Sequence, residues 1–202
     1  MFYIFPRVVS KKECEKLLDC CIKNTEFKEA FILNKGESDA DIDRHGRADP
    51  SIRKTDIAFV EVGGNEGNEG NKVNEVAWHY LNEANEIKFN YKFHNYQTVQ
   101  FARYRDGGHY GWHRDVNESA ISPNGEQRKL SLTLCLTDPK DYEGGELQFF
   151  NGERSREKKT VEEIRAQGSV IVFDSRDWHR VTPVTKGIRY SLVCWTVGPN
   201  FV

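Results

Sequence analysis

Apolar residues recur along this chain at two different periods, and the change from one to the other divides it. Near the start, Cys14, Leu17, Leu18, Cys21 and Ile22 fall three and four apart, which turns one helical face to a core and predicts a helix from Ser10 to Asn24. Ser10-Lys11-Lys12-Glu13 reads as its capping box. Val73, Val76, Ala77, Tyr80, Leu81, Ala84 and Ile87 repeat the spacing, so a second amphipathic helix is expected from about Lys72 to Ile87. Between the two lie AFILN and IAFVEV, which read as short strands around the polar stretch NKGESDADIDRHGRADPSIRKTD. The run GGNEGNEGN carries no apolar side chain to offset its ordering entropy, and a mobile loop or flap is expected from Gly63 to Asn71.

From Tyr96 onward the period is that of strands. YQTVQFARY, KLSLTLCLT, GELQFF, GSVIVF and RYSLVCWTV are rich in β-branched and aromatic residues. In KLSLTLCLT, Leu130, Leu132, Leu134 and Leu136 alternate with Ser131, Thr133 and Cys135, so one face of that strand is expected to pack inward. Strands separated by Gly, Pro and Asp turns, with helices gathered in the N-terminal half, predict a mainly β fold with bracing α-helices. The expected architecture is two sheets closed into a distorted jelly roll. One domain over 1–202 is expected, with helical support mainly in 10–90 and the β core at about 96–200.

Composition narrows the partners without naming one. A net charge of -2 supplies no basic stripe for nucleic acid or an anionic membrane. No apolar run reaches the roughly 20 residues of a membrane span, and the N-terminus lacks a signal-peptide pattern, so a soluble, cytoplasmic protein is expected. The five cysteines contain no Cys-X-X-Cys pair, and neither disulfides nor a thiolate metal site is expected.

The candidate chemistry sits in YRDGGHYGWHRD, answered far downstream by WHRV. In extended backbone His113 and Asp115 point the same way while Arg114 faces elsewhere. His179 follows GSVIVF and can meet them across the mouth of a jelly roll. Two histidines and one carboxylate make the facial triad of a mononuclear Fe(II) site, with open positions opposite. His45, His79, His94 and His109 receive no metal role, although His109 is close enough in sequence for a contact behind the ligands. The acidic GESDADID lacks the spacing of a calcium loop and reads as solvated.

Together RYRDGGHYGWHRD, QRKLSLTLCL, YEGGEL, GSVIVFDSRDWHRV and GIRYSL resemble the Fe(II)- and 2-oxoglutarate-dependent dioxygenases, in the prolyl 4-hydroxylase-like branch that includes the PKHD-type hydroxylases of bacteria and phages. The resemblance covers about Gln97 to Val197 and implies a double-stranded β-helix. It assigns His113, Asp115 and His179 to the metal, Arg189 to the distal carboxylate of 2-oxoglutarate, and Tyr104 to a hydrogen bond with that cosubstrate. Tyr110, Arg128 and Trp195 fall where this branch lines the pocket for its target residue. The implied reaction is hydroxylation by O2 coupled to conversion of 2-oxoglutarate to succinate and CO2, on a proline of a peptide or protein, and the resemblance extends to ascorbate binding. Two positions depart from the pattern: Leu147 stands where plant-like members have a threonine, and Val197 where a histidine follows the matching tryptophan. Val116 to Gln127, with its Ser-Pro-Asn-Gly turn signals, is a candidate lid.

Three other functions remain to be weighed. A sister branch acting on alkylated nucleic-acid bases carries a second arginine where this chain has Trp195. Hydroxylation of a small free metabolite or amino acid would be decided by the loops. A non-enzymatic jelly-roll module would form no succinate.

Overall fold

A computed structural model describes residues 2–30, 49–60, 69–116, 125–150 and 157–201. In the N-terminal half these form β1 (Phe2–Phe5), α1 (Lys11–Asn24), β2 (Lys28–Glu29), β3 (Arg53–Lys54), β4 (Asp56–Val60) and α2 (Glu69–Ala84). The strands that follow are β5 (Asn95–Tyr96), β6 (Val99–Arg105), β7 (His109–His113), β8 (Glu126–Cys135), β9 (Tyr142–Gly144) and β10 (Leu147–Phe150). The last are β11 (Lys158–Thr160), β12 (Val170–Asp174), β13 (His179–Val181) and β14 (Val184–Pro199).

Ser10 caps α1 as expected: its hydroxyl and the Glu13 backbone form one half of the box and the Glu13 carboxylate and Ser10 backbone the other. α2 begins at Glu69, three residues before the expected start, so Glu69 to Asn71 of the expected flap are helical while 63–68 lie outside the described residues. Its far end passes into a π-helical turn over Asn85–Phe89, closed by Asn90 in the left-handed region and by the Asn85 side chain bonded to the Tyr91 backbone. The acidic GESDADID, His45, the end of AFILN and 117–124 of the expected lid also lie outside the described residues.

Two antiparallel sheets carry the fold. The larger has nine strands, with β1, β12, β8, β14, β6, β4 and β2 in spatial order and β5 and β9 attached to β14. The smaller has five, in the order β11, β10, β13, β7, β3. On one side of the large sheet α1 and α2 cover Leu130, Leu132, Leu134, Val170, Val172, Phe101 and Leu192. On the other, Ala102, Tyr104, Ile171 and Phe173 meet Leu147, Phe149 and Val181 of the small sheet. The side chains of each strand therefore alternate between two interiors, and the arrangement is the expected double-stranded β-helix braced by helices.

The expectation that only one face of KLSLTLCLT packs inward is corrected by this layering. Its leucines face the helices, but Ser131, Thr133 and Cys135 are buried too, because the small sheet covers the other face. The N-terminal half is also less purely helical than expected. It contributes β1, paired to β12, β4, paired to β6, and β3, paired to β7. All five cysteines are free and buried, and burial pushes the thiols of Cys14, Cys21 and Cys194 up to about 12.

Candidate metal and cosubstrate site

β7 ends on His113 and β13 begins on His179, and the two residues are direct partners in the register of the small sheet. Asp115 lies one bend beyond β7, where its N–H and that of Val116 donate to the Ser175 carbonyl at the end of β12. Ser175 is in turn tied to Ser131 of β8, 2.9 Å between hydroxyls. The large sheet thus positions a carboxylate against two imidazoles of the small one. One ligand atom from each of His113, Asp115 and His179 lies within 4.8 Å of the others.

Hydrogen bonding fixes which nitrogens face inward. His113 Nδ1 lies 2.8 Å from the Gly111 carbonyl and His179 Nδ1 2.9 Å from the Asp177 carbonyl. A carbonyl only accepts, so Nδ1 carries a proton in both rings and Nε2 is the atom left to ligate. Those atoms face Asp115: Nε2 of His113 is 3.6 Å from Oδ1, and Nε2 of His179 is 3.6 Å from Oδ2. Burial is the main reason that His179 is pushed down to about 4, with His113 adding to it and Asp115 opposing, so the ring is neutral. Burial alone would raise Asp115, but His179, His113 and Arg128 outweigh it and hold its carboxyl well below the usual carboxylate range. Two imidazole Nε2 atoms and a carboxylate converge in a nearly dry space with no proton donor of their own once the rings are neutral, an arrangement that a cation among them stabilises. The donor set therefore fits a divalent metal, and its N,N,O composition with open positions fits Fe(II).

Arg189 and Tyr104 are cross-strand partners on β14 and β6, facing the interior between the sheets. The Arg189 guanidinium carbon is 5.3 Å from the Tyr104 ring centroid, Nη1 donates to Ser191 Oγ at 3.3 Å, and the residue is only 3% exposed. The glycines of YEGGEL make room for it. Gly145 sits at φ +61, and a Cβ there would fall 2.8 Å from the Arg189 side chain, so the bare backbone is what lets the arginine stem pass.

Tyr110, Arg128 and Trp195 also gather at the triad. Tyr110 stacks on His113 with centroids 3.5 Å apart. Arg128 donates to the Asp115 carbonyl at 3.3 Å and lies 4.1 Å over the Trp195 ring. Burial raises the Tyr110 hydroxyl, while Arg53 and Arg128 pull it down. Phe149 and Phe173 wall His179, with centroids 5.8 and 4.7 Å away. Arg114 points outward over Trp178, as the alternation predicts. His79 pairs with Glu83 and His94 with Glu126 on the surface. His109 bonds the Gly107 carbonyl rather than a ligand.

One residue beside the triad could not be found from the sequence. Arg53 of β3 lies opposite Tyr110 of β7, with its guanidinium carbon 4.3 Å from that ring. It occurs in a stretch that reads as polar connection, and a two-residue strand has no period to betray it.

Comparison with known proteins agrees with the geometry. Residues 99–197 match the profile of the 2OG-Fe(II) oxygenase superfamily. A PKHD-type hydroxylase of Pseudomonas putida is 38% identical over 96 residues, which are 46% of this chain and 40% of that protein, so the match spans less than half of the relative's length. The fold is similar to that of a Pseudomonas putida prolyl-4-hydroxylase, covering 96% of this chain and 91% of that one at 21% identity and a TM-score of 0.67. It is similar too to a Trichoplax adhaerens prolyl hydroxylase in complex with a hypoxia inducible factor peptide fragment, covering 96% and 82% at 19% identity and a TM-score of 0.69. Among the described residues no helix is long and apolar enough to cross a membrane. Residues 99–197, just under half of the chain, thus match the 2OG-Fe(II) oxygenase superfamily, and over that stretch the sequence is similar to the PKHD-type hydroxylases.

Proposed function

We propose that this chain is an Fe(II)- and 2-oxoglutarate-dependent hydroxylase whose substrate is a prolyl residue of a peptide or protein. The observation that carries the reading is the pair of imidazole Nε2 atoms facing one carboxylate, next to a buried arginine on a tyrosine. His113, Asp115 and His179 would hold the metal. Arg189 would grip the distal carboxylate of 2-oxoglutarate through two parallel hydrogen bonds, with Tyr104 alongside. When bound, the iron supplies the activation of O2 that divides its atoms between a substrate C–H bond, which becomes C–OH, and the succinate left after CO2 departs.

The protein's own contribution is placement and exclusion of water. The carbonyls of Gly111 and Asp177 keep both imidazoles in the ligating tautomer without any proton moving during turnover. Phe149 and Phe173 keep solvent from His179. Trp195 offers an aromatic ring and Tyr110, covered by His113 and Arg53 on its two faces, its edge and hydroxyl to a flat, apolar ring, and Arg128 places a donor between Trp195 and the triad. Peptide as the substrate class is supported by the hypoxia inducible factor fragment bound to the Trichoplax relative of this fold.

The test is conversion of 2-oxoglutarate to succinate by the iron-loaded chain, followed by mass spectrometry of proline-containing peptides and, in parallel, of free amino acids. A mass gain of one oxygen on proline, with stoichiometric succinate and none from His113→Ala, is expected. Succinate formed equally well by His113→Ala would overturn the ligand assignment. Oxygen incorporated only into a free amino acid would overturn the peptide substrate.

A further inference from the structure

Among the described residues nothing neutralises the charge that the fold buries at Arg53. The residue is 8% exposed, its Nε has no hydrogen-bond partner among the described residues, and its contact there is with a ring, Tyr110. A cation–π contact recovers only part of what it costs to take a guanidinium out of water. Buried charges in folded proteins are paired, and one that is not is waiting for its partner.

Its position says where that partner arrives. The register of β3 against β7 sets Arg53 opposite Tyr110, and Tyr110 stacks at 3.5 Å on His113. The Arg53 guanidinium and the His113 imidazole cannot share one face of the ring at 4.3 and 3.5 Å, so Arg53 occupies the face turned away from the metal ligand. A second buried donor lacks an acceptor in the same neighbourhood. Trp195 Nε1 has no partner among the described residues, and its ring lies under Arg128, which is bonded to the Asp115 carbonyl. Two aromatic rings thus stand beside the triad, each backed by a guanidinium, one stacked on His113 and the other linked through Arg128 to Asp115, and each brings a buried donor without an acceptor among the described residues. Arg189 is not part of this group, since that guanidinium lies on Tyr104 of the other sheet.

We propose that Arg53 is a specificity residue that binds a carboxylate carried by the substrate beside the position to be hydroxylated. The inference rests on the hydroxylase reading above for taking the space beside the triad as the substrate's. A planar guanidinium takes a carboxylate in a two-bond fork, which supplies the missing acceptor for Nε, and Tyr110 behind it fixes the plane of the fork. The carboxylate can come from an acidic side chain next to the target or from a free carboxyl end. Substrates with a lysine or arginine at that place are rejected, because two cations would be buried together.

The experiment is selection of a displayed random heptapeptide library on the Mn(II)-loaded chain, with Arg53→Gln and Arg53→Lys beside it. Amidated peptides, the same peptides with free C-termini, and free mono- and dicarboxylic acids are then titrated against Trp fluorescence. Wild type should favour acidic over amide side chains on the order of tenfold, Arg53→Lys should keep part of that preference, and Arg53→Gln should abolish it. Preference for free over amidated C-termini instead would assign the carboxylate to a chain end, and binding of free acids alone to a small substrate. Enrichment of carboxylates no higher than in the starting pool, retention of nothing at all, or an acidic preference that survives in Arg53→Gln would each overturn the proposal. A chain that forms succinate but shows no such preference sinks the role of Arg53 alone. One that selects carboxylates through Arg53 but forms no succinate sinks the oxygenase reading alone.

Discussion

His179 and His113 are direct partners across β13 and β7, their ring centroids 4.1 Å apart, and each turns Nε2 toward a different oxygen of Asp115. Register in a sheet is cooperative, so the pairing that aligns the two imidazoles is held by the whole small sheet rather than by the rings themselves. Replacing His179 with Ala should leave the fold intact and lower Mn(II) affinity by more than about 100-fold, since even partners behind the ligands are worth 10- to 100-fold. Titration of Mn(II) by electron paramagnetic resonance reads this directly, and unchanged affinity would remove His179 from the metal.

Arg189 and Gly145 make a linked pair of expectations. Arg189→Lys keeps the charge but loses the fork, so the KM for 2-oxoglutarate should rise on the order of tenfold or more while Mn(II) affinity is kept. Gly145→Ala acts through the same side chain, because its Cβ would fall 2.8 Å from Arg189 at a φ of +61. It should raise the same KM without touching the metal, as steady-state succinate assays at varied 2-oxoglutarate would show. A wild-type KM in the Gly145→Ala variant would mean that the glycine serves only the turn.

Much of this was legible in the sequence, and what was not shares one physical reason. Helix α1 and its cap announced themselves because both signals are local. β8, β12 and β14 were legible because a buried strand must be apolar over several residues. The triad was legible through the spacing of His113 and Asp115 and the motif context of His179. β3 and β13 are too short to show a period, and their side chains are chosen by what lies opposite in space. Arg53 stayed hidden for that reason: its meaning comes from Tyr110, far along the chain, through a pairing of two residues. The second buried face of β8 was hidden because Ser131 and Thr133 pack toward a site, where polar side chains are in place.

Asp174 gives the acid limb of stability. Burial would raise its carboxyl, but hydrogen bonds from Arg176 and Tyr91 hold it below its ordinary value, with Tyr91 Oη 2.5 Å from Oδ2. A group whose pKa falls on folding stabilises the native state above its unfolded value, about 3.9, and loses that contribution as pH drops through the folded value. Asp174→Asn should therefore cost about 1 kcal/mol at pH 7 and progressively less below about pH 4. The cost is small because the Arg176 side chain is 42% exposed and its charge is screened by solvent. Urea unfolding at pH 7 and pH 3 checks it, and equal losses at both would remove Asp174 from the titration.

Leu132 and Ser131 are neighbours on β8 that point into different interiors, and their substitutions should separate stability from metal binding. Leu132 is 1% exposed among the residues under α1 and α2, so Leu132→Ala should cost about 2–5 kcal/mol in urea unfolding. It touches nothing at the triad, and Mn(II) affinity should hold under conditions where the variant is folded. Ser131 bonds Ser175, whose carbonyl receives the N–H groups of Asp115 and Val116. Ser131→Ala should therefore cost only about 1 kcal/mol of stability yet loosen the loop that aims Asp115, lowering Mn(II) affinity by about tenfold. If both variants lost stability and metal in proportion, the two sides of the large sheet would be one cooperative unit, and Ser131 would have no particular part in aiming the carboxylate.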